Sequence, residues 1–147
     1  MKRKEMLFMV SVVFLFVSSA VGAAGDFDWI KDFNIRAEAD PSGFRARLAA
    51  RFKIGDTQIN AVLSNIDKPA DAYIVLRLGE MSAKPTDYVM ERYRSEKGKG
   101  WGALAKSLGI KPGSKQFHDL KRGSDLYDGD NAGKGKGKPK GQGKGRG

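Results

Sequence analysis

Cysteine is absent from the 147 residues and histidine occurs once, at His118. A chain without a thiol has no disulfide to staple it, no lipidation site and no cysteine nucleophile, and one imidazole does not make a zinc site of several His and Cys ligands. Its core must hold by packing alone. Long hydrophobic runs are scarce as well. The prominent one, Met6 to Val17, is about 12 residues long, short of the roughly 20 that a helix needs to cross a bilayer. It follows the basic start Met1-Lys2-Arg3-Lys4 and precedes the small residues Ala20-Val21-Gly22-Ala23-Ala24. That order predicts a bacterial secretory signal over residues 1–24, not an anchor. Gly22-x-Ala24 fits cleavage after Ala24 and a mature chain from Gly25, with Ala20-x-Gly22 as a second site. The expected location is periplasmic or extracellular.

Acidic residues are missing from the other end. The whole chain carries a formal charge of +10, of which Lys2, Arg3, Lys4 and Glu5 supply +2, leaving +8 after residue 24. Lys134, Lys136, Lys138, Lys140, Lys144 and Arg146 put +6 of that into residues 133–147, and the intervening body is close to neutral at +2. Alternating Gly and Lys buries no apolar area and repels itself, which predicts a disordered, extended tail. Such a polycation binds polyanions through counterion release. Outside the cytoplasm its partners would be lipopolysaccharide, acidic lipid, wall polymer or extracellular DNA. Arg45, Arg47 and Arg51 are the next candidates should the tail not serve.

The roughly 100 residues between suit one small domain. Residues 25–124 predict an all-α fold, a small bundle of five or six short helices, with 125–132 as an acidic linker. Phe44, Leu48 and Phe52 recur every fourth position after Pro41. Ile59, Val62, Leu63 and Ile66 keep helical spacing after a cap at Asp56 or Thr57. Pro69 and Pro85 suit helix starts. Residues 72–78 are apolar nearly all round, which periodicity alone assigns to neither buried helix nor buried strand; helical neighbours and the lack of a second strand-like run favour helix. Trp29, Ile30 and Phe33 suit an N-terminal helix. Two short helices, Trp101 to Leu108 and Ser114 to Arg122, would end on Gly109 and Gly123 as left-handed caps.

The most specific string runs Gly98-Lys99-Gly100-Trp101-Gly102-Ala103-Leu104-Ala105-Lys106-Ser107-Leu108-Gly109-Ile110-Lys111-Pro112-Gly113-Ser114, then Phe117-His118-Asp119-Leu120-Lys121. It resembles a motif of small exported bacterial proteins with Gly-Lys-rich tails, over roughly Asp71 to Arg122. The resemblance implies a secreted helical domain and brings no catalytic residues with it. Physically the string is a helix, a corner at Gly109 and a second helix capped by Ser114. Residues 101–122 also imitate a DNA-binding helix-turn-helix, although Pro112-Gly113 falls where a recognition helix should be starting.

Catalytic constellations are thin. Ser114, His118 and Asp119 match a triad only in composition. Asp26, Asp28, Asp32, Glu38 and Asp40 could supply a carboxylate pair for glycoside hydrolysis, yet no local pattern selects two of them. Residues 125–131 have the oxygen ligands of a calcium turn without its distant glutamate. Gly98-Lys99-Gly100 lacks the context of a phosphate loop and reads as a basic hinge. Together these features predict an exported, non-enzymatic binding or structural module needing no cofactor. Its basic tail would meet anionic polymers and its helical domain a protein partner. A small wall-associated hydrolase and a nucleic-acid binder using 101–122 are the alternatives.

Overall fold

A computed structural model describes residues 26–131, and its elements are α1 (Trp29–Ala39), α2 (Pro41–Phe52), α3 (Asp56–Leu63), α4 (Pro69–Ser82), α5 (Thr86–Ser95), α6 (Trp101–Ser107), α7 (Lys115–Arg122) and the single turn α8 (Asp128–Asn131). No strand occurs among the described residues. The fold is therefore all-helical as expected, with seven helices and a turn where five or six helices were predicted. Proline sets three of the starts. Pro41 and Pro69 open α2 and α4, and Pro85 immediately precedes α5; their fixed φ suits a first turn, where the missing N–H has no partner to lose. Asp40 alone separates α1 from α2, and its carboxylate accepts a hydrogen bond from the Gly43 N–H at 2.9 Å.

Residues 72–78 lie inside α4, which resolves the helix-or-strand alternative. Eight α4 residues are buried, including Tyr73, Ile74, Val75 and Leu78, and α1, α3 and α5 pack around it. A helix apolar on every side is stable only when neighbours cover every side. Phe44 and Leu48 from α2 and Ile59 and Val62 from α3 complete that half of the core. Leu104, Leu108, Ile110, Phe117 and Leu120, on α6, α7 and the link between them, are buried in the same core. Gly109 has φ +82° and turns the chain there. Gly123 corrects the expectation of a second left-handed cap: its φ of 172° is ordinary extended backbone, because the chain runs straight out of α7 toward α1.

The stretch after α7 is a second departure. Residues 125–132 read as an acidic linker, yet Leu126 and Tyr127 are buried. The Tyr127 ring lies edge-on to Phe33 at 5.2 Å, and Phe33 also meets Tyr73 at 5.3 Å and Phe44 at 5.9 Å. Asp125 is held from two sides: Tyr73 Oη donates to its Oδ1 at 2.7 Å and Arg51 Nε to its Oδ2 at 2.8 Å. The domain thus closes through Tyr127, beyond the predicted boundary at 124. Its start is tied down too, since the Phe27 N–H donates to the Lys121 carbonyl at 2.8 Å and Trp29 Nε1 to that of Leu120 at 3.0 Å.

Candidate functional site

The expected signal at 1–24 and the tail residues Lys134, Lys136, Lys138, Lys140, Lys144 and Arg146 lie outside the described residues. Most candidates inside have structural occupations. Ser114 Oγ accepts from the Phe117 N–H and caps α7, while Asp119 pairs with Lys115 at 2.7 Å and Arg122 at 2.8 Å, so the triad-like residues do not act as a unit. Asp26 pairs with Lys121 at 3.0 Å and Asp40 caps α2, which leaves Asp28, Asp32 and Glu38 exposed along α1 or at its start.

Asp125, the first residue of the calcium-like turn, belongs to an ionic cluster instead. Arg51 forks onto both Glu80 oxygens at 3.1 Å and reaches Asp125, and Arg77 also pairs with Glu80. Burial pushes the Asp125 carboxyl up, but hydrogen bonds from Tyr73 and Arg51 and the nearby guanidinium charges outweigh it and hold the group below its usual range. The hydrogen bond from Arg51 does the same for Glu80, against burial. Among the described residues no group of three or more His, Cys, Asp or Glu side chains could hold a metal ion.

The helix pair of residues 101–122 is more widely spaced than a DNA-binding helix-turn-helix. Residues 108–114 separate α6 from α7, whereas the DNA-binding unit uses a turn of about three or four residues. The charges of α7 are also spent, Lys115 and Arg122 on Asp119 and Lys121 on Asp26. The Arg45, Arg47 and Arg51 face is occupied in its turn. Arg45 donates to Asn60 Oδ1 at 2.6 Å, Arg47 lies 5.2 Å over the Tyr127 ring, and Arg51 serves the cluster just described.

Free basic charge lies elsewhere, at a place the sequence reading passed over by averaging the body to near neutrality. Residues 92–122 contain nine Lys and Arg against Glu96 and Asp119, a net +7 that the acids on either side offset. Within this stretch Lys99, Lys106 and Lys111 are exposed and form no ion pair among the described residues. A running charge along the chain carries that signal.

The same region holds an aromatic stack beside a surface cavity. After α5 the chain passes Gly98 at φ +98° and Gly100 at φ +87°, conformations that L side chains rarely adopt. This path delivers Trp101, the first residue of α6, onto Tyr93 of α5 with ring centroids 5.6 Å apart and planes 14° from parallel. Tyr93 Oη donates to Asp71 Oδ2 at 2.8 Å, which fixes the ring against the first turn of α4. Beside the stack is a cavity of about 290 Å3 lined by Asp71, Tyr93, Glu96, Lys97, Trp101 and Leu104 together with the two glycines. Burial and then Asp71 push the Tyr93 phenol up to about 12, so it stays a proton donor at neutral pH. The hinge read at Gly98-Lys99-Gly100 is the rim of this cavity. Comparison with family models, curated proteins and solved structures finds no match to this chain.

Proposed function

We propose that the chain is an exported, non-enzymatic binding module that adheres to anionic polymers, with the Gly-Lys tail as the main contact and the exposed lysines of the α6–α7 corner as a second. The carrying observation is the placement of charge. Residues 133–147 hold +6, and in and beside α6 Lys99, Lys106 and Lys111 are exposed and form no ion pair among the described residues, while Arg45 and Arg51 serve side chains of the fold. Polyanion binding needs charge density and reach, not a preformed cleft, and a Gly-Lys tract supplies both. Export rests on the arrangement of residues 1–24, and the resemblance to small exported bacterial proteins points the same way. The ligand class comprises lipopolysaccharide, acidic lipid, wall polymer and extracellular DNA.

The test is binding of the chain from Gly25 onward to duplex DNA and to acidic vesicles over a range of salt. With four to six charges engaged on a duplex, log affinity should fall against log salt with a slope near −4 to −5, whatever the sequence of the DNA. Deleting residues 133–147 should remove most of the affinity and leave the helical circular dichroism intact. Lys99→Gln, Lys106→Gln and Lys111→Gln together should remove the remainder. A truncated protein that keeps full affinity and slope would overturn the assignment to the tail. Mass spectrometry of protein from the native cell should find Gly25 at the N-terminus; intact Met1 in the membrane would overturn the signal.

A further inference from the structure

We propose that the cavity between the start of α4, the end of α5 and the start of α6 binds an organic ammonium group, with Tyr93 and Trp101 providing the aromatic surface and Asp71 the countercharge. The reading is independent of the tail and of the polyanions assigned to it, and it concerns a ligand of opposite sign.

Two of the three charged side chains lining the cavity already have a charged partner. Glu96 lies 3.8 Å from Arg92, and the Lys97 ammonium lies 3.9 Å from Asp67. Asp71 differs from both. Its side-chain partner is the neutral Tyr93 phenol, it forms no ion pair among the described residues, and it is half-buried. A carboxylate with one neutral donor on one oxygen keeps its full charge and most of its acceptor positions. A cation entering the cavity would satisfy what remains.

The rings act in the same direction. Aromatic faces carry a negative quadrupole and attract cations, most strongly when one side is shielded from water, as in the cages that recognise quaternary ammonium groups. Tyr93 and Trp101 share a stack and both line the cavity, so carboxylate and quadrupole add. The same two terms repel phosphate and sulfate. At about 290 Å3 the space is at the small end of ligand sites, suited to one head group or one ring. The rim is bare of side chains at Gly98 and Gly100, where an added Cβ would meet nothing within 4 Å; the glycines are required by their positive φ, and they leave the aromatic pair open.

The chemistry shared by the sources is an ammonium group beside a small polar body: a choline-type lipid head group or an amino sugar of a glycan. Each can be tested against its uncharged counterpart. The mature chain carrying Trp29→Phe, so that Trp101 alone reports, is titrated with choline and 3,3-dimethylbutanol, and with glucosamine and N-acetylglucosamine, following Trp101 fluorescence and its indole N–H resonance. The expected result is millimolar binding of at least one cation, weakened about tenfold or more in its neutral counterpart and in Asp71→Asn. Tighter choline points to a lipid head group and tighter glucosamine to a glycan. Melting temperature and circular dichroism identify any variant that has lost its fold, and Asp71→Asn in a folded protein decides. Equal affinity for charged and neutral partners, or for the parent and Asp71→Asn, overturns the proposal, as does the absence of any shift with either cation.

Discussion

Trp101 is half-buried, with Tyr93 beside it and the cavity in front. Its removal should therefore cost about 2 kcal/mol, less than the roughly 3–5 kcal/mol of a wholly enclosed aromatic. Leu48→Ala, at a site of complete burial, should cost at least as much, about 2–5 kcal/mol. Urea melts of the two variants give the order. Two glycines that look alike in sequence should also part company. Gly109→Val places a branched side chain at φ +82° and should destabilise by about 1–2 kcal/mol, whereas Gly123→Ala, at φ 172° with open space around it, should stay within about 0.5 kcal/mol of the parent. The distinction was not legible beforehand. Both glycines follow short helices, and only the direction in which the chain leaves each helix separates them.

At the scale of the element, α2 makes an unusual case for its own glycine. Replacing glycine near a helix start with alanine normally helps by up to about 1 kcal/mol. At Gly43, however, a Cβ would run into the Asp40 carboxylate that caps the helix. Gly43→Ala should therefore expel the cap and come out neutral or destabilising, while Asp40→Ala alone should cost about 1 kcal/mol. Thermal melts of both single variants and the double variant check this, because the two losses should not add. Helices of this kind were readable because proline and a four-residue apolar period mark them independently, and α4 because so apolar a run demands a central place. Leu126-Tyr127 had no such mark. Two apolar residues among acids have no period, and what holds Tyr127 is Phe33 and Arg47, both more than half the domain away. The cavity was hidden for the same reason: Asp71, Tyr93 and Trp101 meet only once α4, α5 and α6 are assembled.

For the whole molecule, stability should fall at both ends of the pH scale. Asp125 and Glu80 are held below their ordinary range, so their contribution is complete above the unfolded-state values near pH ~4 and disappears as pH falls through the folded-state ones. Both are more than a third exposed, which limits the loss to about 1 kcal/mol. Tyr73 and Tyr93 are shifted upward, chiefly by burial, so their contribution persists up to pH ~10 and declines above it. A melting-temperature profile should show a plateau between these limits, and Arg51→Ala should flatten its acid edge. A different consequence follows from how the domain is fastened. Asp26 and Phe27 join Lys121 across the whole fold, and Asp128 faces Asp32 and Arg36 of α1 across a shallow hollow, so both ends of the described chain emerge beside α1. Tension applied through those ends would load this clasp before it reached α4. Under pulling, α7 and the 125–127 segment should peel away first at low force, and the helices around α4 should yield in a second, stiffer step.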